Sequence, residues 1–249
     1  LRRMGTDRVS GHPSRKRISS HPGKNKMHRV TLPFVIAPIQ TRSDLDDVCR
    51  VRSEAYGHHL PNISDALLQP DALDFRDDAM VYLARDKETG RPLGSARVQV
   101  NASRPLMIEQ CVDLPEELAP HPRAEISRLC VAQDAQPLVR MALYKATFLA
   151  CLANQVRYMV IGARREALAR QYRQLGFHKL YDGKMFQLTY AGDLEHMVLA
   201  FNVQTAERVW FESNHAFYPF IFTSQHPDIS LFAHRNKLAG QRLQVVRAA

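Results

Sequence analysis

The segment Ala124–Gly183 alternates strand and helix patterns, and this alternation constrains the fold more than any other feature. "RYMVIGA" (157–163) is a continuous apolar run, which is typical of a strand covered on both faces. An apolar helix pattern (137–155) precedes this run, and the amphipathic pattern "RREALARQYRQLGF" follows it and ends at Gly176. Because "AEISRLCVAQD" reads as a further strand before the first helix, the order predicts a βαβα unit in a mixed sheet.

Antiparallel elements are expected before this unit. Val30–Gln40 contains two prolines and is typical of an edge strand. Ser43 begins an amphipathic helix pattern that stops at Gly57. Met80–Arg85 and Leu93–Val100 flank the turn "DKETGRP", so they predict a hairpin.

The chain divides into three parts by pattern. We predict a disordered basic tail at 1–29, an α/β core at 30–203 and a C-terminal extension at 204–249 that packs on the core. "KMFQLTY" and "HMVLAFNV" are expected to close the core sheet. A helical segment then begins at Thr205.

The charge of the chain is concentrated in the tail. The net charge is +9, but the first 29 residues contain nine Lys or Arg against one Asp, which leaves +1 for the other 220 residues. We therefore expect no nucleic-acid partner for the folded body. The tail is either a solvated leader or a binding tail, and peripheral membrane contact through the tail or the product stays open.

Composition sets broad limits on class and compartment. With 249 residues, 45% of them hydrophobic, the chain can bury a core large enough for an enzyme. No apolar run reaches the length of a signal peptide or a membrane span, so we expect a cytoplasmic protein. Leu1 precedes Met4 and Met27, and the sequence leaves open whether Met27 is the native start. The four cysteines are widely spaced, so neither a disulfide nor a metal site is expected.

The strand "AEISRLCV" keeps three polar side chains in an apolar context. Alternation places Glu125 and Ser127 on one face and Arg128 on the other, unless a bulge intervenes. Glu125 is a candidate general base, because burial raises a carboxyl pKa towards neutrality. Alternatively it pairs with Arg128 or Arg97 in a buried ion pair. Arg128 itself is expected to pair with an acid on the opposite face.

The element order, with "YRQLGF" closing the helix after "RYMVIGA", resembles the GNAT acyltransferase superfamily over Val30–Val203. The glycine-rich pyrophosphate loop of that superfamily is absent, since its place reads "AQDAQPLVRMA". Such a loop lets backbone N–H groups approach a diphosphate, so its loss argues against coenzyme A as donor. "E-x-S-R-L" at 125–129, "VRSEAYGHHLP" at 51–61 and the C-terminal extension are most similar to long-chain N-acyl amino acid synthases, which are related to acyl-homoserine lactone synthases.

The resemblance implies a fold and an activity. The fold is a GNAT-like mixed sheet flanked by helices, with a C-terminal helical extension. The activity is transfer of a long acyl group from the phosphopantetheine of acyl carrier protein to an amino acid's α-amine, with no permanently bound cofactor. The lactone synthases are an alternative, although their N-terminal Arg, Phe and Trp set is only partly matched by Arg52 and Tyr56, and Trp210 lies far downstream. A non-catalytic acyl-binding module is the third hypothesis.

The resemblance also implies roles for single residues. Backbone N–H groups around Leu129, Cys130 and Val131 bind the pantetheine arm and polarise the thioester, while Arg164 and Arg165 attract an acidic carrier protein. Tyr172 protonates the leaving thiolate, or else only packs on the sheet.

The acceptor carboxylate is bound among Arg52, Tyr56 and Arg97, and Ser127 lines the same pocket. Candidate walls for the acyl chain, or plain core residues, are Phe148, Trp210, Phe211, Phe217, Phe220 and Phe222. Chain length, acceptor and oligomeric state remain open.

Overall fold

An eight-stranded mixed sheet organises the computed structural model, which describes residues 27–232. Its strands are β2 (Phe34–Pro38), β3 (Ala79–Asp86), β4 (Pro92–Val100), β5 (Arg123–Val131), β6 (Tyr158–Ala163), β7 (His178–Lys179), β8 (Met185–Leu188) and β9 (Leu194–Asn202). The order is β2-β3-β4-β5-β6-β9-β7, and β8 also pairs with β9. The predictions for the rest of the basic tail (1–26) and for the extension beyond Phe232 fall outside the described residues.

The sheet is antiparallel except at its centre. β2, β3, β4 and β5 pair antiparallel in succession, β5 and β6 pair parallel, and β6 pairs antiparallel with β9. The predicted edge strand, hairpin and βαβα unit are confirmed. Outside this sheet, β1 (His28–Arg29) and β10 (Ser224–Gln225) form a short parallel pair that joins the two ends of the described chain.

Helices cover both faces of the sheet. They are α1 (Arg42–Gly57), α2 (Pro61–Ser64), α3 (Pro137–Ala153), α4 (Glu166–Gln174) and α5 (Ala206–Glu212), and short 3₁₀ turns lie at Ala66–Leu68, Ala72–Phe75, Ile108–Gln110 and Thr189–Ala191. α3 and α4 pack with α5 in one large apolar cluster. α1 covers the other face of β3, and the segment around Ile108 covers the other face of β6.

Local capping explains where α1 begins and where α4 ends. Thr41 caps α1, because its hydroxyl accepts from Asp44 N–H and the Asp44 carboxylate accepts from Thr41 N–H. The predicted start at Ser43 is therefore wrong by two residues, since Thr41 and Asp44 form the reciprocal pair while Asp46, three residues after Ser43, pairs with Arg42. Gly176 ends α4 with φ of +92°, as predicted, and a Cβ there would lie 2.9 Å from the ring of Phe201.

One buried ammonium group contributes several of the hydrogen bonds that attach the C-terminal segment to the core. Lys145 of α3 donates to the carbonyl oxygens of Phe220 and Ser224, at 2.7 and 2.6 Å, and its Nζ lies 3.0 Å from Nδ1 of His226. Both acceptor carbonyls belong to the π-helical turn Pro219–Thr223 or to the strand that follows it. Lys145 thus satisfies backbone groups of the extension from within α3.

None of the helices between residues 27 and 232 combines the length and the apolar character that crossing a bilayer requires.

We expect Lys145→Met to lower the free energy of unfolding by about 2 kcal/mol, because it leaves two buried carbonyl groups and an imidazole without their donor. Lys179→Met is the matched control, since its ion pair with Glu166 is largely exposed and such pairs contribute less than about 1 kcal/mol. Urea unfolding of both variants measures the difference. Equal stability of the two would contradict a structural role for the Lys145 ammonium.

Candidate active site

A gap between β5 and β6 opens the centre of the sheet. The two strands pair only at Arg123–Glu125 with Tyr158–Val160, although β5 continues to Val131 and β6 to Ala163. A cavity of about 970 Å³ occupies this gap. Its walls come from both faces, with α1 and α2 on one side and α3 and α4 on the other, so that the cavity passes through the sheet. Ligand sites form preferentially at such breaks in a sheet.

Most of the residues singled out from the sequence meet at this cavity. Those that line it are Tyr56, Arg97, Glu125, Ser127, Arg128, Leu129, Cys130, Val131, Arg164, Arg165 and Tyr172. Arg52 does not line it. Most of the residues chosen from the sequence therefore share one cavity. The contacts and burial of each side chain determine which role it can have there.

Glu125 is a buried carboxylate, only 3% exposed. One oxygen accepts from the Tyr190 hydroxyl at 2.6 Å and the other from the Ile108 backbone N–H at 2.9 Å. The hydrogen bonds thus come from groups other than the two arginines considered from the sequence. Burial raises the pKa of Glu125 even though both hydrogen bonds act to lower it. The Glu125 carboxylate is therefore a stronger base than an ordinary, exposed glutamate.

A bulge in β5 redirects Arg128. Ser95 pairs with Cys130 and Arg97 with Ser127, so one residue of β4 opposes two residues of β5. Arg128 takes the left-handed conformation, with φ of +54°. The expectation that it points to the opposite face is wrong, because the bulge interrupts the alternation on which that expectation rested. Its guanidinium lines the cavity and lies 3.5 Å from Asp71. A non-glycine residue in this strained conformation is typical of functional sites.

An arginine and aspartate network borders the cavity on the α1 side. Arg52 binds both oxygens of Asp74, at 2.8 and 2.9 Å, and Arg97 donates to Asp74 at 3.0 Å, to Asp71 and to Ser127. Burial alone would raise the pKa of Asp74, but hydrogen bonds and charge from Arg52, with the charge of Arg97, hold it below its usual value. Together with Arg128 the network has three cations and two anions. One positive charge is therefore in excess beside the cavity.

Arg52 was expected from the sequence to bind the acceptor carboxylate, but it lies outside the cavity lining. Its side chain is buried, and its bidentate ion pair with Asp74 occupies the guanidinium face that an acceptor carboxylate would use. We conclude that Arg52 positions Asp74 behind the cavity wall. Asp71 and Asp74 were not among the residues predicted from the sequence, although "PDALDF" has acids at the cap and third positions of a turn, a capping signal that could have identified them.

The opposite side of the cavity carries Tyr172, Arg164 and Arg165 at or near α4. Burial raises the pKa of Tyr172 far above its ordinary value, so its hydroxyl remains a proton donor at neutral pH. Arg165 is exposed and Arg164 half-buried. This side thus offers a neutral hydroxyl next to a cationic rim.

The apolar walls come mainly from the sheet and from helices α3 and α4. They include Ile126, Leu129, Met141, Tyr144, Ile161, Leu168 and Leu175. Of the aromatic walls considered from the sequence, only Phe217 lines the described cavity. Phe148 and Trp210 are core residues, and Phe211 is 67% exposed. Of the two alternatives for these aromatic residues, the core role is the one that Phe148 and Trp210 have. Within residues 27–232, no three His, Cys, Asp or Glu side chains are grouped to hold a metal ion.

FeeM and BjaI are among the solved structures that are similar to this chain. FeeM, an N-acyl amino acid synthase from uncultured soil microbes, aligns with a TM-score of 0.57 at 15% identity, over 75% of this chain and 97% of FeeM. BjaI, a CoA-dependent acyl-homoserine lactone synthase solved with SAM and isopentyl-CoA, aligns with a TM-score of 0.53 at 16% identity, over 85% of this chain and 99% of BjaI. No protein-family model and no curated protein sequence matches the chain. At these identities the likeness establishes the shared fold, which is the fold that the sequence resemblance predicted.

We expect the elevated pKa of Glu125 to appear as a pH dependence of stability. A carboxyl group with a folded pKa above its unfolded value contributes stability below the unfolded pKa, and this stability is lost as pH rises through the folded pKa. The stability of the wild type relative to Glu125→Gln should therefore fall as pH rises above about 4.3, the ordinary pKa of Glu. Urea unfolding of both proteins across pH 4 to 8 measures this difference. A difference that stays constant or grows with pH would contradict the assignment.

Proposed function

We propose that this chain is a GNAT-type N-acyltransferase that moves a long acyl group from a thioester to the α-amine of an amino acid. The observation that carries the proposal is the cavity through the β5–β6 gap, with Glu125 on one side and Tyr172 on the other. Amide formation from a thioester needs a proton acceptor for the amine and a proton donor for the thiolate. The two sides of the cavity supply groups of these two kinds.

The excess positive charge beside the cavity supports an acceptor with a carboxylate. Arg97 and Arg128 both line the cavity, and the two aspartates neutralise only two of the three arginines. A bound carboxylate would pair with the unmatched arginine of this network and accept hydrogen bonds from guanidinium N–H groups. Arg128 in particular has only a long contact to Asp71, so its donors remain available. We assign the acceptor carboxylate to Arg97 and Arg128, with Tyr56 and Ser127 beside it.

The chemistry then proceeds with a balanced set of protons. A free α-amino group has a pKa of about 7.7 to 8.0, so the bound ammonium first gives a proton to Glu125. The neutral amine attacks the thioester carbonyl, and backbone N–H groups at Leu129–Val131 bind the developing oxyanion. The C–S bond breaks, and Tyr172 protonates the leaving thiolate. Nitrogen loses two protons in all: one restores the Tyr172 hydroxyl that protonated sulfur, and the other is released to solvent.

We propose acyl carrier protein as the donor. The stretch before α3 lacks the glycines that would cradle a diphosphate, and Arg164 and Arg165 stand at the rim where an acidic carrier would approach. BjaI is described as CoA-dependent, so acyl-CoA is the donor to test against it. The likeness to BjaI, which spans 85% of this chain, also favours lactone synthesis as the second candidate function.

One assay separates these functions. Purified protein is incubated with long-chain acyl carrier protein or acyl-CoA, and with either an amino-acid mixture or SAM, and the products are identified by mass spectrometry. N-acyl amino acids support the proposal and acyl-homoserine lactones support the second candidate. If neither donor gives a product with any acceptor, the catalytic proposal is wrong and the acyl-binding module is favoured.

We expect Arg128→Gln to raise KM for the amino acid about 10- to 100-fold, because a hydrogen bond to a charged group contributes about 1.5–3 kcal/mol. KM for the donor should stay unchanged. A decarboxylated amine acceptor is the control, since it has no carboxylate for Arg128 to bind and should respond little to the substitution. Equal effects on both acceptors would contradict the assignment.

We expect Arg165→Glu to raise KM for acyl carrier protein about tenfold, to leave kcat unchanged and to weaken the salt dependence of the rate. Arg42→Glu is the matched control, because Arg42 begins α1, roughly 21 Å along the helix from Tyr56. Steady-state kinetics at several ionic strengths measures both variants. The docking surface lies elsewhere if the two variants behave alike.

A further inference from the structure

The half-buried imidazole of His196 lies at the cavity and has no role in the acyl transfer assigned to Glu125 and Tyr172. His196 lies on β9, opposite Phe186 of β8, and lines the cavity together with Glu125 and Tyr190. It packs over Gly162 of β6, where an added Cβ would lie 3.3 Å from the imidazole Cδ2. The absence of a side chain at Gly162 thus leaves space for this ring beside the gap.

The hydrogen bonding of His196 defines its tautomer. Nδ1 lies 2.7 Å from the backbone carbonyl oxygen of Leu194. Because a carbonyl oxygen only accepts, Nδ1 carries the hydrogen and Nε2 of the neutral ring carries a lone pair. Among the described residues nothing donates to Nε2. A ring held in this way at a cavity wall presents a free proton acceptor.

The surroundings keep this imidazole neutral. Burial lowers the pKa of His196, and the charges of Arg164 and Arg128 lower it further, against the hydrogen bond to Leu194, which raises it. Glu125 and Tyr190, which bond to each other, are further ionisable groups that line the cavity. His196 is therefore unprotonated at neutral pH and available to accept a proton.

Glu125 alone does not account for both protons that the attacking nitrogen loses. Both of its oxygens already accept hydrogen bonds, from Tyr190 and from Ile108. The attacking nitrogen loses one proton before attack and a second from the tetrahedral intermediate. Once Glu125 has taken the first proton it cannot take the second until it has released the first, whereas Nε2 of His196 has no donor partner among the described residues.

From this geometry we propose that His196 is a second catalytic base of the proposed acyl transfer, whose Nε2 takes the second proton from the attacking nitrogen. The inference rests on the proposed function. The N–H bond of the tetrahedral intermediate breaks, its electron pair stays on nitrogen, and an N–H bond forms at Nε2. The imidazolium then releases that proton to solvent through the cavity.

His196→Asn tests the role, because an Asn amide can still donate to the Leu194 carbonyl but has no group at the Nε2 position. We expect kcat to fall at least about 100-fold, with both KM values within about threefold of wild type. His178→Asn on the exposed strand β7 is the matched control and should retain full activity. Thermal melts show whether each variant folds.

Two further measurements separate catalysis from structure. In His196→Ala, added imidazole should restore part of kcat, with a pH dependence that follows the titration of imidazole. Independently of turnover, ¹⁵N NMR of the wild type at pH 7 should show His196 with hydrogen on Nδ1.

The outcomes distinguish the two levels of the proposal. An active wild type with an equally active His196→Asn, or an Nε2-protonated His196, overturns the role of His196 and leaves the proposed function standing. A wild type inactive with every donor and acceptor overturns both.

Discussion

β5 and β6 share parallel backbone pairing at three residues and then separate, and the cavity of the candidate site occupies that separation. β6 remains paired along its whole length with β9 on its other side, so it cannot follow β5. β5 remains paired with β4, and the bulge at Arg128 increases its local twist. The sheet thus stays continuous at both edges and opens at its centre. An opening bordered by paired strands is rigid, which suits a site that must hold two substrates in fixed relation.

Buried charged side chains lie beside the opening between β5 and β6. Removing Arg52, Asp74 and Arg97 from water is expensive, and bidentate and shared hydrogen bonds offset the cost. The network joins α1, the turn at Ala72–Phe75 and β4, which come from distant parts of the sequence. It also leaves one cation unmatched. In the proposed function, this unmatched cation is what favours an acceptor that carries a carboxylate.

The sequence predicted the architecture well where local pattern decides it. The apolar run at 157–163 and the Gly176 stop are physical signals that need no tertiary information, and both were correct. It also brought Glu125 and Tyr172 to one cavity, because their positions follow from the βαβα order. It failed for Arg52, whose partner Asp74 is 22 residues away in a turn that only the folded chain brings near.

Other features of the site had no sequence signal strong enough to use. The bulge at Arg128 occurs without a glycine, so strict alternation gave the wrong face. Tyr190 and His196 reach the cavity because β8 and β9 pair in one particular register, and short strands specify their register weakly. The aromatic residues after Thr205 gave a misleading signal, since core packing and tunnel walls require the same side chains.

The central claim is that donor and acceptor meet inside the gap between β5 and β6. A crystal structure with a non-reactive thioether analogue of long-chain acyl-pantetheine tests it most directly. We expect an analogue of the 2-oxoalkyl thioether type to place its ketone oxygen within hydrogen-bonding distance of backbone N–H groups at Leu129–Val131, with sulfur close to the Tyr172 hydroxyl and the acyl chain against Met141 and Leu168. An analogue bound at saturation outside the gap, with the cavity filled only by water, would contradict the account.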